Sequence, residues 1–200
     1  MMGRAYKGGT VMLSRTVSVG DYRAMEEEED SVGIAKFVYD RFHERYVAPF
    51  RRGYPDPKSS GFCVMASCCL MIEALESFYQ GWENTDGKSR EAFERFFKRV
   101  SQFQVFRKQS DQFYRHVRCG ILHQAETTGG WRIRRDGSLF DEKKLVVNAD
   151  RFLAGLEEYL CDYSSELTSA DWSSAVWANL VKKMDSVVAN CDRQGNAVDG

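Results

Sequence analysis

Net charge is nearly absent from this chain of 200 residues: 28 Lys/Arg stand against 29 Asp/Glu, leaving −1. Nothing in that total directs it to nucleic acid or to an acidic membrane surface. Paired metal-ligand spacing is also missing. The six cysteines, at 63, 68, 69, 119, 161 and 191, include no CxxC and no zinc-like pairing, which argues against a structural zinc module. Histidine occurs only three times. The first residues hold no long apolar run, so no signal peptide is read, and no stretch of 18 apolar residues suggests a membrane span. The expected setting is therefore a reducing cytoplasm without a membrane partner. What is present is apolar and aromatic: 43% hydrophobic and 13% aromatic residues supply a real core for one domain. Internal repeats are lacking.

Charge is uneven along the chain. Lys88 to Arg135 contains twelve Lys/Arg and four Asp/Glu, a local +8 that leaves −9 elsewhere. Such a segment is either a phosphate footprint or the solvated faces of amphipathic helices.

Residues 1–30 are glycine-rich, aperiodic and end in Glu26–Asp30, so they are expected to be a flexible tail. Asp30 or Ser31 caps a first helix bearing Ile34, Phe37, Val38, Phe42, Tyr46 and Val47, which is expected to end before Pro49. Arg51 to Pro57 reads as a loop. Ser59 or Ser60 opens a second helix reaching about Trp82. It is apolar nearly all round, the mark of a central helix, and Cys63, Cys68 and Cys69 on it read as buried thiols. Its Glu73 needs a partner, because a lone buried carboxylate is costly; a cation on the helix at Phe113–Glu126 would serve. Ser89–Val100 is amphipathic, with Phe93, Phe96 and Phe97 inside. Phe103 to Phe106 is an apolar link, and Ser110 or Asp111 caps the next helix. After Gly130 the period changes: Trp131–Arg134 alternates, and Asp136-Gly137 signals a β-hairpin near 131–147. Asn148 or Asp150 caps a further helix, and Asp171 to about Asn190 forms the last. The predicted fold is an all-α, up-and-down helical bundle with a small β-hairpin insert. The core domain is placed at 31–167, with the helix in 168–200 packed on it.

Chemistry concentrates at Phe113–Glu126, where Phe113, Val117 and Ile121 make one apolar stripe. Arg115, His116, Arg118 and His123 surround it. His116 and His123 lie seven residues apart, about 10 Å along a helix, too far to share one metal ion. Cys119 beside Arg118 could form a thiolate, although its plain reading is a packed small residue. Arg118 and His123 pair a fixed cation suited to phosphate with a side chain suited to proton transfer. On an ideal helix they stand about 140° apart. Either the ending helix brings His123 round, or a second copy of the helix completes the site.

Arg118-Cys-Gly-Ile-Leu-His123 resembles the Arg-x4–6-His signature of HEPN domains, the higher eukaryotes and prokaryotes nucleotide-binding family. The apolar helix through Cys69-Leu-Met-Ile-Glu-Ala-Leu-Glu-Ser-Phe78, the basic segment and the motif near a helix end are similar too, over residues 32–167. The resemblance implies a helical bundle that forms a homodimer through the motif helix. It also implies a metal-independent endoribonuclease without cofactors, making a 2′,3′-cyclic phosphate in a composite dimer site. Arg118 and His123 are then the catalytic residues, with His116, Cys119 and Glu73 as accessories. Arg115, Arg132, Arg134 and Arg135 would bind RNA. A phage-defence or toxin–antitoxin setting, with an antitoxin partner, goes with that family. Cys119 departs from the Asn, Asp or His that often follows the arginine in active members. The alternative is a non-catalytic HEPN-like module binding a nucleotide, RNA or a protein partner. In the plainest reading Arg118 and His123 are interface polar residues of a structural dimer.

Overall fold

The computed structural model describes residues 8–51 and 60–195. In chain order these form α1 (Val19–Glu27), α2 (Ser31–Phe42), a π-helical turn (His43–Val47), α3 (Ala48–Arg51), α4 (Gly61–Gln80) and α5 (Ser89–Arg99). There follow a 3₁₀ segment (Ser101–Gln109), α6 (Ser110–Phe113), a second π-helical turn (Tyr114–Arg118) and α7 (Cys119–Gln124). Then come β1 (Arg132–Arg134), β2 (Phe140–Asp141), β3 (Val146–Asn148), α8 (Ala149–Ser169) and α9 (Ala175–Gly195). The fold is all-α with a small β insert, as the sequence predicts. The described residues divide into two compact units, one of 8–43, 77–84 and 161–195, the other of 44–51, 60–76 and 85–160.

The first unit overturns the expectation of a flexible tail for residues 8–30; residues 1–7 lie outside the described residues. Ser18 caps α1 in a reciprocal box, its hydroxyl accepting from the Asp21 amide while Asp21 accepts from the Ser18 amide. The capped helix buries Val19 and Tyr22, Leu13 is buried ahead of it, and Tyr22 packs against Phe37 at 5.9 Å. Arg23 bridges to Asp185 of α9 at 2.9 Å. Glycine content and a lack of long periodicity concealed a single two-turn helix whose cap is its main sequence signal. Elsewhere in this unit Phe42 meets Phe78 edge-on at 5.1 Å. α9 begins at Ala175, later than predicted, with Trp172 in the preceding turn against Trp177.

The second unit is built on phenylalanine. Phe93, Phe96 and Phe97 of α5, Phe103 and Phe106 of the 3₁₀ segment, Phe113 and Phe152 are all fully buried. Phe97 lies 5.2 Å from Phe106 and 5.1 Å from Phe113, and Phe103 lies 4.7 Å from Phe152. The expected apolar link is thus a 3₁₀ run that inserts two rings. Glu76, fully buried on α4, receives Arg99 Nη2 at 2.7 Å. Pro49 sits inside α3 rather than beyond a helix end. Helix runs on without a break from α2 through the π turn into α3, so the proline that lacks an amide donor follows a widened turn rather than a helix end. The loop expected at Arg51–Pro57 falls, after Arg51, outside the described residues. By length and composition α4 is the one helix among the described residues apolar enough to cross a membrane, with mean hydropathy 1.5, yet 67% of its apolar window is buried inside the structure. Cys68 and Cys69 are buried as expected, whereas Cys63 is exposed. Burial pushes the thiols of Cys68 and Cys69 well above the usual cysteine range.

The β insert pairs differently from a hairpin closed by Asp136-Gly137. The strand order is β1-β3-β2. β1 runs parallel to β3, with Arg132 opposite Val146 and Arg134 opposite Asn148. β2 is antiparallel to β3. The hairpin therefore turns at 142–145, where Leu145 takes φ 52°. The Asp136-Gly137 turn instead ends β1, and Asn148 Nδ2 holds it by donating to the Gly137 carbonyl at 3.0 Å. Asn148 also caps α8, its Oδ1 accepting from the Asp150 and Arg151 amides.

Candidate functional site around Arg118 and His123

The motif helix is not a regular helix. Between α6 and α7 the backbone widens into the π turn Tyr114–Arg118, closed by the Cys119 amide donating to the Tyr114 carbonyl five residues back. Such a bulge inserts one residue into a turn and so rotates the next turn about the helix axis. α7 is only six residues long and ends at Ala125 in the left-handed region, φ 55°. The chain then folds back over it. A Cβ on Gly120 would lie 2.5 Å from the Glu126 carbonyl oxygen, so only glycine admits this return. The Thr128 amide donates to the His116 carbonyl at 3.0 Å.

Arg118 is the centre of the site. Its Nε donates to Glu73 Oε1 at 2.7 Å, and the other carboxylate oxygen accepts from Ser89 Oγ at 2.7 Å. The Arg118 and Glu73 side chains are 15% and 9% exposed, so the pair is almost out of water. Here is the cation that Glu73 requires. Burial alone would lower the arginine pKa, but the Glu73 hydrogen bond and charge outweigh it and hold the guanidinium above its ordinary range. Its Cζ stands 5.7 Å over the Tyr114 ring. Burial and the neighbouring Cys119 raise the Tyr114 hydroxyl above its usual value.

Arg118 Nη1 lies 3.4 Å from His123 Nε2, and His123 is exposed. Arg118 and His123 therefore meet within one chain despite the 140° expected of an ideal helix. A guanidinium only donates, so His123 Nε2 is on the acceptor side of this contact. Cys119 borders the same cluster and is half-buried.

The other predicted residues are elsewhere. His116 turns to the returning loop, with Nδ1 2.8 Å from Thr128 Oγ1, and its ring stands where a Cβ on Gly129 would be. Arg115 is exposed and pairs with Asp111 at 3.3 Å, which also binds Arg90; these cations hold the Asp111 carboxyl below its usual range, Arg90 most strongly. Arg135 is committed to Asp150 at 2.8 Å and to Ser60 Oγ at 2.7 Å. Arg132 and Arg134 lie on β1 with partners of their own in the insert.

Sequence reasoning missed Ser89 and the aromatic floor of Tyr114. Ser89 is readable only as the first residue of a helix, and its reach to Glu73, 16 residues earlier, is tertiary. Among the described residues no three His, Cys, Asp or Glu side chains are grouped so as to hold a metal ion. Comparison with known proteins returned no match: no family model, no curated protein and no solved structure matches the chain.

Proposed function

We propose that the chain is a metal-independent, HEPN-like endoribonuclease with Arg118 and His123 as its reacting pair. The observation that carries this reading is the 3.4 Å approach of Arg118 Nη1 to the exposed His123 Nε2 while Arg118 Nε is anchored on Glu73. An arginine fixed at one edge presents its other edge without ordering cost, the arrangement that stabilises charge developing on phosphoryl oxygens. In the proposed step the RNA 2′-oxygen attacks the adjacent phosphorus and the bond from phosphorus to the 5′-oxygen breaks. Arg118 Nη1 turns from His123 to the phosphate, and the Nε2 lone pair so released takes the 2′-hydroxyl proton. The 5′-oxygen leaves with a proton supplied by water or by a second copy of the chain. The products are a 2′,3′-cyclic phosphate and a 5′-hydroxyl, and no redox or metal step enters.

The homodimer through the motif helix belongs to the same proposal, as does a defence or toxin–antitoxin setting with an antitoxin partner. A second reading, a non-catalytic module binding nucleotide, RNA or a protein, is favoured by Cys119 in place of a polar neighbour. The discriminating experiment is cleavage of mixed RNA in EDTA by wild type, Arg118→Ala and His123→Ala, each checked for helical content. Loss of cleavage in both folded variants is expected. Folded variants that cut as fast as wild type would contradict the assignment, and a wild type that binds RNA without cutting it would favour the second reading.

A further inference from the structure

We propose that the solvent face of the small sheet is a phosphate-binding groove for the backbone of single-stranded RNA, with Arg132, Arg134 and Lys144 as its donors. The identity of the ligand rests on the ribonuclease reading above; the site itself rests on the register of the sheet and the charges along its outer face.

Alternation along β1 puts Arg132 and Arg134 on one face and Ile133 on the other. The register carries this across the sheet. Val147 is paired with Ile133 and Phe140 with Val147. Val147 is fully buried, and Phe140 stacks on Phe106 at 4.8 Å and on Trp131 at 5.2 Å. One face is thus fixed to the phenylalanine core. The opposite face carries exposed Arg132 and Arg134 with half-buried Val146 and Asp141, and is closed at one corner by Asn148, buried where it holds the Gly137 carbonyl. Together with Lys144 and the Asp136–Ser138 turn it encloses a groove of about 240 Å³.

The cations there are held but not used up. Arg132 spends Nη2 on the Lys144 carbonyl at 3.2 Å. Arg134 spends Nε on Asp136 at 2.9 Å. Lys144 Nζ is 3.5 Å from Asp141 Oδ2. Each guanidinium has five donors, so most of them remain for a ligand rich in acceptors. Three cations and two carboxylates line the groove, a local excess of one positive charge. In the adjoining turn exposed Lys143 stands next to exposed Glu142, which accepts from Gln109 Nε2 at 3.3 Å. The Ser138 hydroxyl donates to the Phe140 carbonyl at 3.2 Å and so ties the turn to β2 rather than serving the ligand. Spaced cations on a short strand fit a chain of phosphodiesters better than a single small anion.

The test is titration of a 2′-O-methyl RNA oligonucleotide, which lacks the attacking hydroxyl and so reports binding apart from cleavage. Fluorescence anisotropy over a range of salt compares wild type with Arg134→Gln/Lys144→Gln. These side chains are 60% and 71% exposed, and losing exposed ion pairs costs little stability. The double variant is expected to bind about tenfold more weakly, with a salt slope shallower by about 1.4, two contacts of about 0.7 each. Equal affinity and slope in the two proteins would overturn the groove, as would failure of wild type to bind. His123→Ala separates the two readings. If it abolishes RNA cleavage while the groove variant binds as wild type, the nuclease stands and the groove falls. If the groove variant loses binding and wild type cuts nothing, the groove stands and the nuclease falls.

Discussion

Removing the Glu73 carboxylate is the most informative perturbation of the site. Glu73 is 7% exposed, and both of its oxygens are engaged, one by Arg118 and one by Ser89. Glu73→Ala leaves a guanidinium that is 15% exposed without its counter-charge. Breaking a fully buried pair costs about 3–5 kcal/mol. Because the outer edge of Arg118 reaches solvent, about 2–3 kcal/mol is expected here on the same scale. Arg118→Met should cost less, since Ser89 still donates to the carboxylate and a methionine fills the stem. The double variant removes both charges and should be less destabilised than the sum, with a coupling of about 1.5–3 kcal/mol, the worth of a charged hydrogen bond. Urea denaturation at neutral pH, followed by circular dichroism for all four proteins, reads this directly. Additivity within about 0.5 kcal/mol would refute the pair. Glu73→Gln keeps the shape and the Ser89 contact, and should lower cleavage more than stability if Glu73 acts by holding Arg118.

Packing and capping elsewhere in the fold are open to the same kind of test. Gly120→Ala places a Cβ 2.5 Å from the Glu126 carbonyl oxygen, and the overpacking should cost about 1–3 kcal/mol, read as a lower urea midpoint; an unchanged midpoint would mean the loop does not return over α7. Phe106→Ala opens the core between Phe97, Phe113, Phe140 and Phe152 and should cost about 3–5 kcal/mol, again measured by urea denaturation. In the α1 cap, the Ser18 hydroxyl and amide hold the Asp21 carboxyl below its ordinary range. That stabilisation is present above the unfolded pKa of about 4 and is lost as pH falls through the folded value. Asp21→Asn should therefore destabilise at neutral pH, and the gap from wild type should close in acid; a gap constant with pH would remove the carboxylate from the cap.

How far the sequence reaches depends on which interactions are local. Helices with strong periodicity, α2, α5 and α8, follow from apolar spacing, α4 follows from its unbroken apolar run, and Asp30 and Asn148 are caps as read. The identity of Glu73 as a carboxylate in need of a cation was legible because its helix is apolar on every side. Three features were not legible. α1 is short and declares itself only through Ser18 and Asp21. The Asp136-Gly137 signal is a genuine turn, but β3 pairs with both other strands, and a two-residue signal cannot encode a parallel partner 14 residues away, as Val146 is from Arg132. The π turn at Tyr114–Arg118 leaves no mark in apolar spacing, since Phe113, Val117 and Ile121 are buried as expected of an α-helix, yet Arg118 and His123 come together in a helix interrupted by it.

The most direct measurement is the chemistry of the RNA ends produced in EDTA by wild type and by His123→Ala. Arg118 and His123 acting on the 2′-hydroxyl require 2′,3′-cyclic phosphate and 5′-hydroxyl ends from wild type and no cleavage from the folded variant. Cleavage at equal rates by both proteins, or 5′-phosphate ends from wild type, would contradict that chemistry.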